Sequence, residues 1–116
     1  MADFIQVSTT TNTRAYADKI AKLLVTQRLA ACVQVLGPVH SSYWWDGKIE
    51  QAREWLCLIK ARANDYRRIE LAIKQIHPYK IPEIMALPIM SANVGYLRWI
   101  RKETNRKKQV TTSRPA

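Results

Sequence analysis

Strand and helix signals alternate along the 116 residues in the order βαββαβ with a closing helix, which predicts an α+β fold. Three observations carry this reading. Two β-prone stretches meet at Asp46-Gly47, a strong hairpin signal because glycine tolerates the positive φ of a tight turn. Two segments, one around Ile20 and one around Ile73, repeat their apolar residues at helical spacing. A short apolar run is bracketed by Pro82 and Pro88, so its ends must leave continuous strand pairing.

Taken in order, Phe4 to Val7 is a short β-prone run and the first predicted strand. Thr11, Asn12 and Thr13 then offer side-chain oxygens to cap a helix. Tyr16, Ile20, Leu23, Leu24 and Gln27 share one face of that helix, with Asp18, Lys19, Lys22 and Arg28 largely off it. From about Leu29 to Trp45 the chain turns β-prone again, and Gly37-Pro38 should bend or interrupt the strand. The return strand spans about Lys48 to Ala63, with Trp55 to Ile59 apolar on both faces. Asn64 is placed to cap a second helix whose Tyr66, Ile69, Ile73 and Ile76 align. That helix stops at His77-Pro78, since proline disfavours helical geometry in the residue before it. A fourth strand follows between Pro82 and Pro88, and Ser91 or Asn93 opens a last helix through Tyr96, Leu97, Trp99 and Ile100.

One hairpin and two helical crossovers define the split βαβ, ferredoxin-like arrangement, βαββαβ plus a C-terminal helix. Right-handed crossovers put both crossover helices on one face of a four-stranded sheet. The other face then needs a cover. Tyr43, Trp44, Trp45, Trp55 and Leu87 are more apolar mass than a solvated face exposes, and oligomerisation is the simplest way to cover them.

No apolar run reaches the roughly 18–20 residues that cross a bilayer. Asp3, Arg14, Asp18 and Lys19 deny the first twenty residues the apolar centre of a signal peptide, so a cytoplasmic location is expected. Cys32 and Cys57 match no zinc or redox spacing and sit among apolar neighbours, as buried reduced thiols do. The formal charge of +10 is uneven: from Arg98 onward seven basic residues face only Glu103, a net +6, which leaves +4 before it. Residues 1–104 are expected to form the domain, and 105–116 a basic, disordered tail. Such a tail either solubilises the particle or makes non-specific, salt-sensitive contacts with nucleic acid.

No enzyme class is indicated. The chain has no Gly-rich phosphate loop, no Gly-x-Ser-x-Gly, no His-Glu-x-x-His and no paired acidic motif. The phosphate-cradling loop of an acylphosphatase is absent, because residues 8–13 contain no glycine. The aromatic signature of an RNA-recognition module is missing from the central strands.

Arg28-Leu29-Ala30-Ala31-Cys32-Val33, Tyr43 to Glu50 and His77-Pro78-Tyr79-Lys80-Ile81-Pro82-Glu83-Ile84, with Asn93 to Ile100, resemble the CutA divalent-cation tolerance family. The resemblance spans roughly residues 4–102. It implies a homotrimer of ferredoxin-like subunits whose sheets pair edge to edge, and a role in tolerance of copper and other divalent cations through binding. A PII-like trimeric nucleotide sensor is the alternative, but its long mobile loop would stand where Asp46-Gly47 makes a tight turn.

The resemblance also implies a metal set and a cleft. Cys32, His77 and Glu83 are the metal candidates, and thiolate, imidazole and carboxylate suit copper or zinc. Thr9 and Ile76 stand where copper-coordinating members carry a further Cys and His, so weak metal binding and no required cofactor are expected. The competing reading of His77 is a histidine at a helix C-terminus, bonded to a carbonyl. His40 has no ligand at a recognisable spacing. Trp45, Lys60, Tyr79 and Glu83 match polar or aromatic positions of a cleft between subunits, where a small anionic ligand would meet Lys60 and a ring. Alternatively Lys60 and Glu83 form an interface ion pair.

Overall fold

The computed structural model describes residues 2–106. Its elements run β1 (Phe4–Thr11), α1 (Arg14–Thr26), β2 (Cys32–Trp45), β3 (Lys48–Arg62), a 3₁₀ turn (Ala63–Asp65), α2 (Tyr66–Ile76), β4 (Ile84–Pro88) and α3 (Val94–Glu103). β1 outruns the expected Phe4–Val7 because Ser8 to Thr11 stay extended and pair along β3. Of the three candidate caps it is Thr13 whose hydroxyl accepts from the Tyr16 N–H and starts α1. Asn93 does the same for α3 through the Tyr96 N–H. Asn64 does not cap α2; it lies in the 3₁₀ turn, and Asp65 precedes the helix without a side-chain cap bond. Leu29 and Ala30 belong to a buried connection, so β2 begins only at Cys32.

The sheet order is β2-β3-β1-β4, and every neighbouring pair is antiparallel. This is the ferredoxin-like α+β order expected from the element sequence. Strand alternation sends Ile5, Val7, Cys57, Ile59 and Ala61 to one face, where they pack with Ala17, Ile20 and Leu24 of α1 and Ile69, Ala72 and Ile73 of α2. Both crossover helices therefore share that face. Cys57 lies at its centre, and burial pushes the thiol up to about 11, with Asp18 adding to the effect.

The register between β2 and β3 slips between Leu36 and Val39, so Gly37-Pro38 forms a bulge opposite Trp55. Gly37 is required there, because a Cβ would lie 2.4 Å from the Trp55 ring. Trp55 packs half-buried against the helix-side core, which corrects the expectation that it helps overload the opposite face. Trp44 shares that parity but lies out on the hairpin, while Tyr43, Trp45 and Leu87 do fall on the opposite face. Beyond the bulge the hairpin runs on to Asp46 and Gly47, both at positive φ, and stretches the molecule to 58 × 32 × 22 Å.

α3 covers one end of the opposite face. Ile100 is buried, and the Arg101 guanidinium lies 5.1 Å over the ring of Phe4. Arg28, at φ 56°, donates to the carbonyl and the carboxylate of Glu103, joining the end of α1 to α3. Arg106, counted with the basic tail by sequence, closes on the Asp65 carboxylate at 2.6 Å. The rest of the expected tail, residues 107–116, lies outside the described residues.

Candidate functional site

The segment joining α2 to β4 crosses the end of β1 and comes to lie beside the hairpin. His77 anchors it. The ring Nδ1 accepts from the Tyr79 backbone N–H at 3.1 Å, so the proton must sit on Nε2, which donates to the Thr10 carbonyl at 2.8 Å. Protonating Nδ1 would set one N–H against another. Burial lowers the pKa of His77, against smaller raising effects of the Thr10 bond and Glu54. The imidazole is thus a neutral structural clasp with both nitrogens in use.

The clasp delivers Tyr79, whose hydroxyl donates to Oε2 of Glu54 at 2.8 Å. Glu54 sits on β3 opposite Val39, just past the bulge, and is only 7% exposed. Burial, followed by the bond to Glu54, raises the Tyr79 pKa, so the phenol keeps its proton and remains a donor. Around this pair opens a groove of about 610 Å³ between the hairpin and the 79–83 segment. Tyr43 and Trp45 line it from the hairpin, and Lys80 and Glu83 from the opposite wall. The Ser8 hydroxyl lies 3.5 Å from Glu83 Oε2, which ties that wall back to β1.

The structure brings together part of the expected site. Trp45, Tyr79 and Glu83 line the one groove. Lys60 does not; it bonds Gln6 Oε1 on the same sheet face, six residues along β3 from Glu54, or about 20 Å at strand rise. Cys32 pairs with Lys60 at the far end of β2. The metal candidates Cys32, His77 and Glu83 are therefore not assembled within one chain. Among the described residues no group of three His, Cys, Asp or Glu side chains could hold a metal ion. His77 in particular has no lone pair to offer while its two hydrogen bonds stand. Glu54 was not among the sequence candidates, because its partner Tyr79 is 25 residues away and no local spacing links them.

The model of the CutA1 divalent ion tolerance protein family matches residues 5–103. The Divalent-cation tolerance protein CutA of Thermus thermophilus is 42% identical over 88 residues, which are 76% of this chain and 85% of that protein. Protein CutA of Homo sapiens is 39% identical over 76% of this chain, but the match spans only 49% of the human protein, and 56% of its chloroplastic rice counterpart. The crystal structure of CutA from Xylella fastidiosa superposes with a TM-score of 0.87 at 35% identity, covering 90% of this chain and all of that one. A structure from Archaeoglobus fulgidus, described as a periplasmic divalent cation tolerance protein, gives 0.86 at 33% identity over 88% of this chain and 99% of that one. With its sequence matched from Ile5 to Glu103 and its fold superposing throughout the domain, the chain belongs to the CutA1 divalent ion tolerance family.

Proposed function

We propose that the protein acts as a homotrimer in tolerance of divalent metal ions, by binding and not by catalysis. The observation that carries this is the uncovered part of the opposite sheet face. Leu36 on β2 and Met85 and Leu87 on β4 are exposed there, and Tyr43 and Trp45 extend the apolar surface along the hairpin. β2 and β4 are also the open edges of the sheet. Neighbouring copies that add their edges to these strands would satisfy the backbone groups and bury Leu36, Met85 and Leu87 together, with Tyr43 and Trp45 left to wall the cleft between them.

In this reading the groove beside Tyr79 is the binding cleft, and Lys60 would reach it only from another copy. A direct role for Cys32, His77 and Glu83 in holding copper would require His77 to give up one of its bonds. Weak binding of copper or zinc follows. The tight Asp46-Gly47 turn leaves no room for a long sensor loop between β2 and β3, which favours this reading over a PII-like nucleotide sensor. Both cysteines are free thiols, which suits a reducing, cytoplasmic compartment.

Native mass spectrometry of the full chain, with and without Cu²⁺, tests the proposal. A trimer mass with substoichiometric, easily lost copper is expected. A monomer, or one tightly held copper per chain, would overturn it.

A further inference from the structure

We infer that the groove beside Glu54 is a site for a small organic ammonium ion, a more specific assignment that rests on reading this groove as the binding cleft. The reason lies in Glu54. Its carboxylate is more than nine-tenths buried, and its one hydrogen bond comes from a neutral donor, the Tyr79 hydroxyl, to Oε2. Among the described residues it has no ion-pair partner; the salt bridges all lie elsewhere, on Asp18, Asp65 and Glu103. A carboxylate taken out of water without a cation is expensive, and the neutral His77 nearby does not offset it. Among the described residues Oε1 accepts no hydrogen bond, and Glu54 is one of the residues that line the groove.

The rest of the wall says which cation fits. Tyr43, Trp45 and Tyr79 present aromatic rings, whose faces attract ammonium groups. Glu83 supplies a second carboxylate, so with Lys80 the groove's own side chains sum to −1. Lys80 is exposed at the rim and paired with neither glutamate. A divalent metal ion asks for several converging oxygen ligands, and no three acidic, His or Cys side chains converge here. An anion would meet two carboxylates, and within one chain Lys60, the cation expected to receive it, bonds Gln6 instead of entering the groove. An alkylammonium needs one carboxylate and apolar, ring-lined walls, which is what Glu54 and the three aromatics provide. Lys80 at the rim would also let the ammonium belong to a zwitterion, with its carboxylate outward.

Calorimetric titration of the full chain with butylammonium, tetramethylammonium and lysine tests this, with sodium chloride and citrate as controls and light scattering on the same samples. At least one ammonium compound should bind saturably at one per chain, and neither control should. Glu54→Gln keeps the shape and an acceptor for Tyr79, and should weaken binding at least tenfold without lowering the melting temperature. Tyr43→Ala, at an exposed ring, should weaken it several-fold. Absence of saturable ammonium binding, tighter binding of citrate, or indifference to Glu54→Gln would each overturn the inference. So would a basic side chain of a neighbouring copy filling the groove, which would appear as trimer weakening in both Glu54→Gln and Lys60→Gln with no ammonium bound. A trimer that binds no ammonium sinks this assignment alone, whereas a monomer that binds it sinks the trimer reading alone.

Discussion

The guanidinium of Arg106 sits 2.6 Å from a carboxylate oxygen of Asp65, and that carboxylate is 1% exposed. A second Arg106 nitrogen reaches the other oxygen at 3.1 Å, and Arg68 adds a bond at 3.0 Å. The bidentate fork fixes the end of the domain to the start of α2. Arg106→Ala leaves Asp65 with the exposed Arg68 and with Arg62, whose Nε lies 3.9 Å away, and should cost about 1.5–3 kcal/mol, the range for hydrogen bonds to charged groups. Urea unfolding of the variant checks this. A cost under about 0.5 kcal/mol would mean that Arg68 and Arg62 suffice. Any truncation that tests the basic tail for nucleic-acid contact must therefore end after Arg106, not before it.

A second prediction concerns the bulge. Gly37→Ala drives a Cβ into the Trp55 ring, and that ring packs on the core and under Arg53, so it cannot swing clear. Overpacking of this kind costs about 1–3 kcal/mol. The melting temperature of Gly37→Ala should fall, while Gly47→Ala, where no atom lies within 4 Å, should suffer only from its φ of 76°.

How much of this was legible in the sequence depends on how local the cause is. The Asp46-Gly47 turn and the helix caps act within a few residues; the turn stands where the sequence put it, and the caps fall on Thr13 and Asn93, each one of the residues the sequence offered. Trp55 was misplaced because the run from Trp55 to Ile59 is apolar at every position, so periodicity could not say which face each side chain takes. Asn64 lost the cap because the chain enters α2 through a 3₁₀ turn, and Asp65, next in line, spends its carboxylate on arginines. The pairing of Glu54 with Tyr79 and the clasp of His77 on Thr10 are long-range, and only the fold brings them together.

The third prediction concerns pH. The pKa of His77 is lowered in the folded chain from an ordinary 6.5. Below that value the unfolded chain takes up a proton that the folded chain resists, so His77 lowers stability as pH falls from 6.5 toward the folded pKa. The contribution is fully present above 6.5. Comparing wild type with His77→Gln by urea unfolding between pH 7.5 and 5 should show the steeper acid loss in wild type. Parallel curves would contradict the neutral clasp.

A fourth prediction follows from the same bonds. With Nε2 donating and Nδ1 accepting, His77→Gln should leave the weak Cu²⁺ affinity unchanged, and Cys32→Ser should leave stability indifferent to metal. Tight stoichiometric binding abolished by His77→Ala would show that the clasp opens for a metal.

The most direct test of the account is the mass of the particle in solution. Light scattering after gel filtration at micromolar concentration should give about three times the 13.4 kDa chain mass. Leu87→Arg, which sets a charge on the exposed β4 edge of the apolar face, should shift the particle toward one chain mass with its helix content retained. A wild-type monomer at that concentration, or a trimer indifferent to Leu87→Arg, would contradict the reading of this face as the contact between copies.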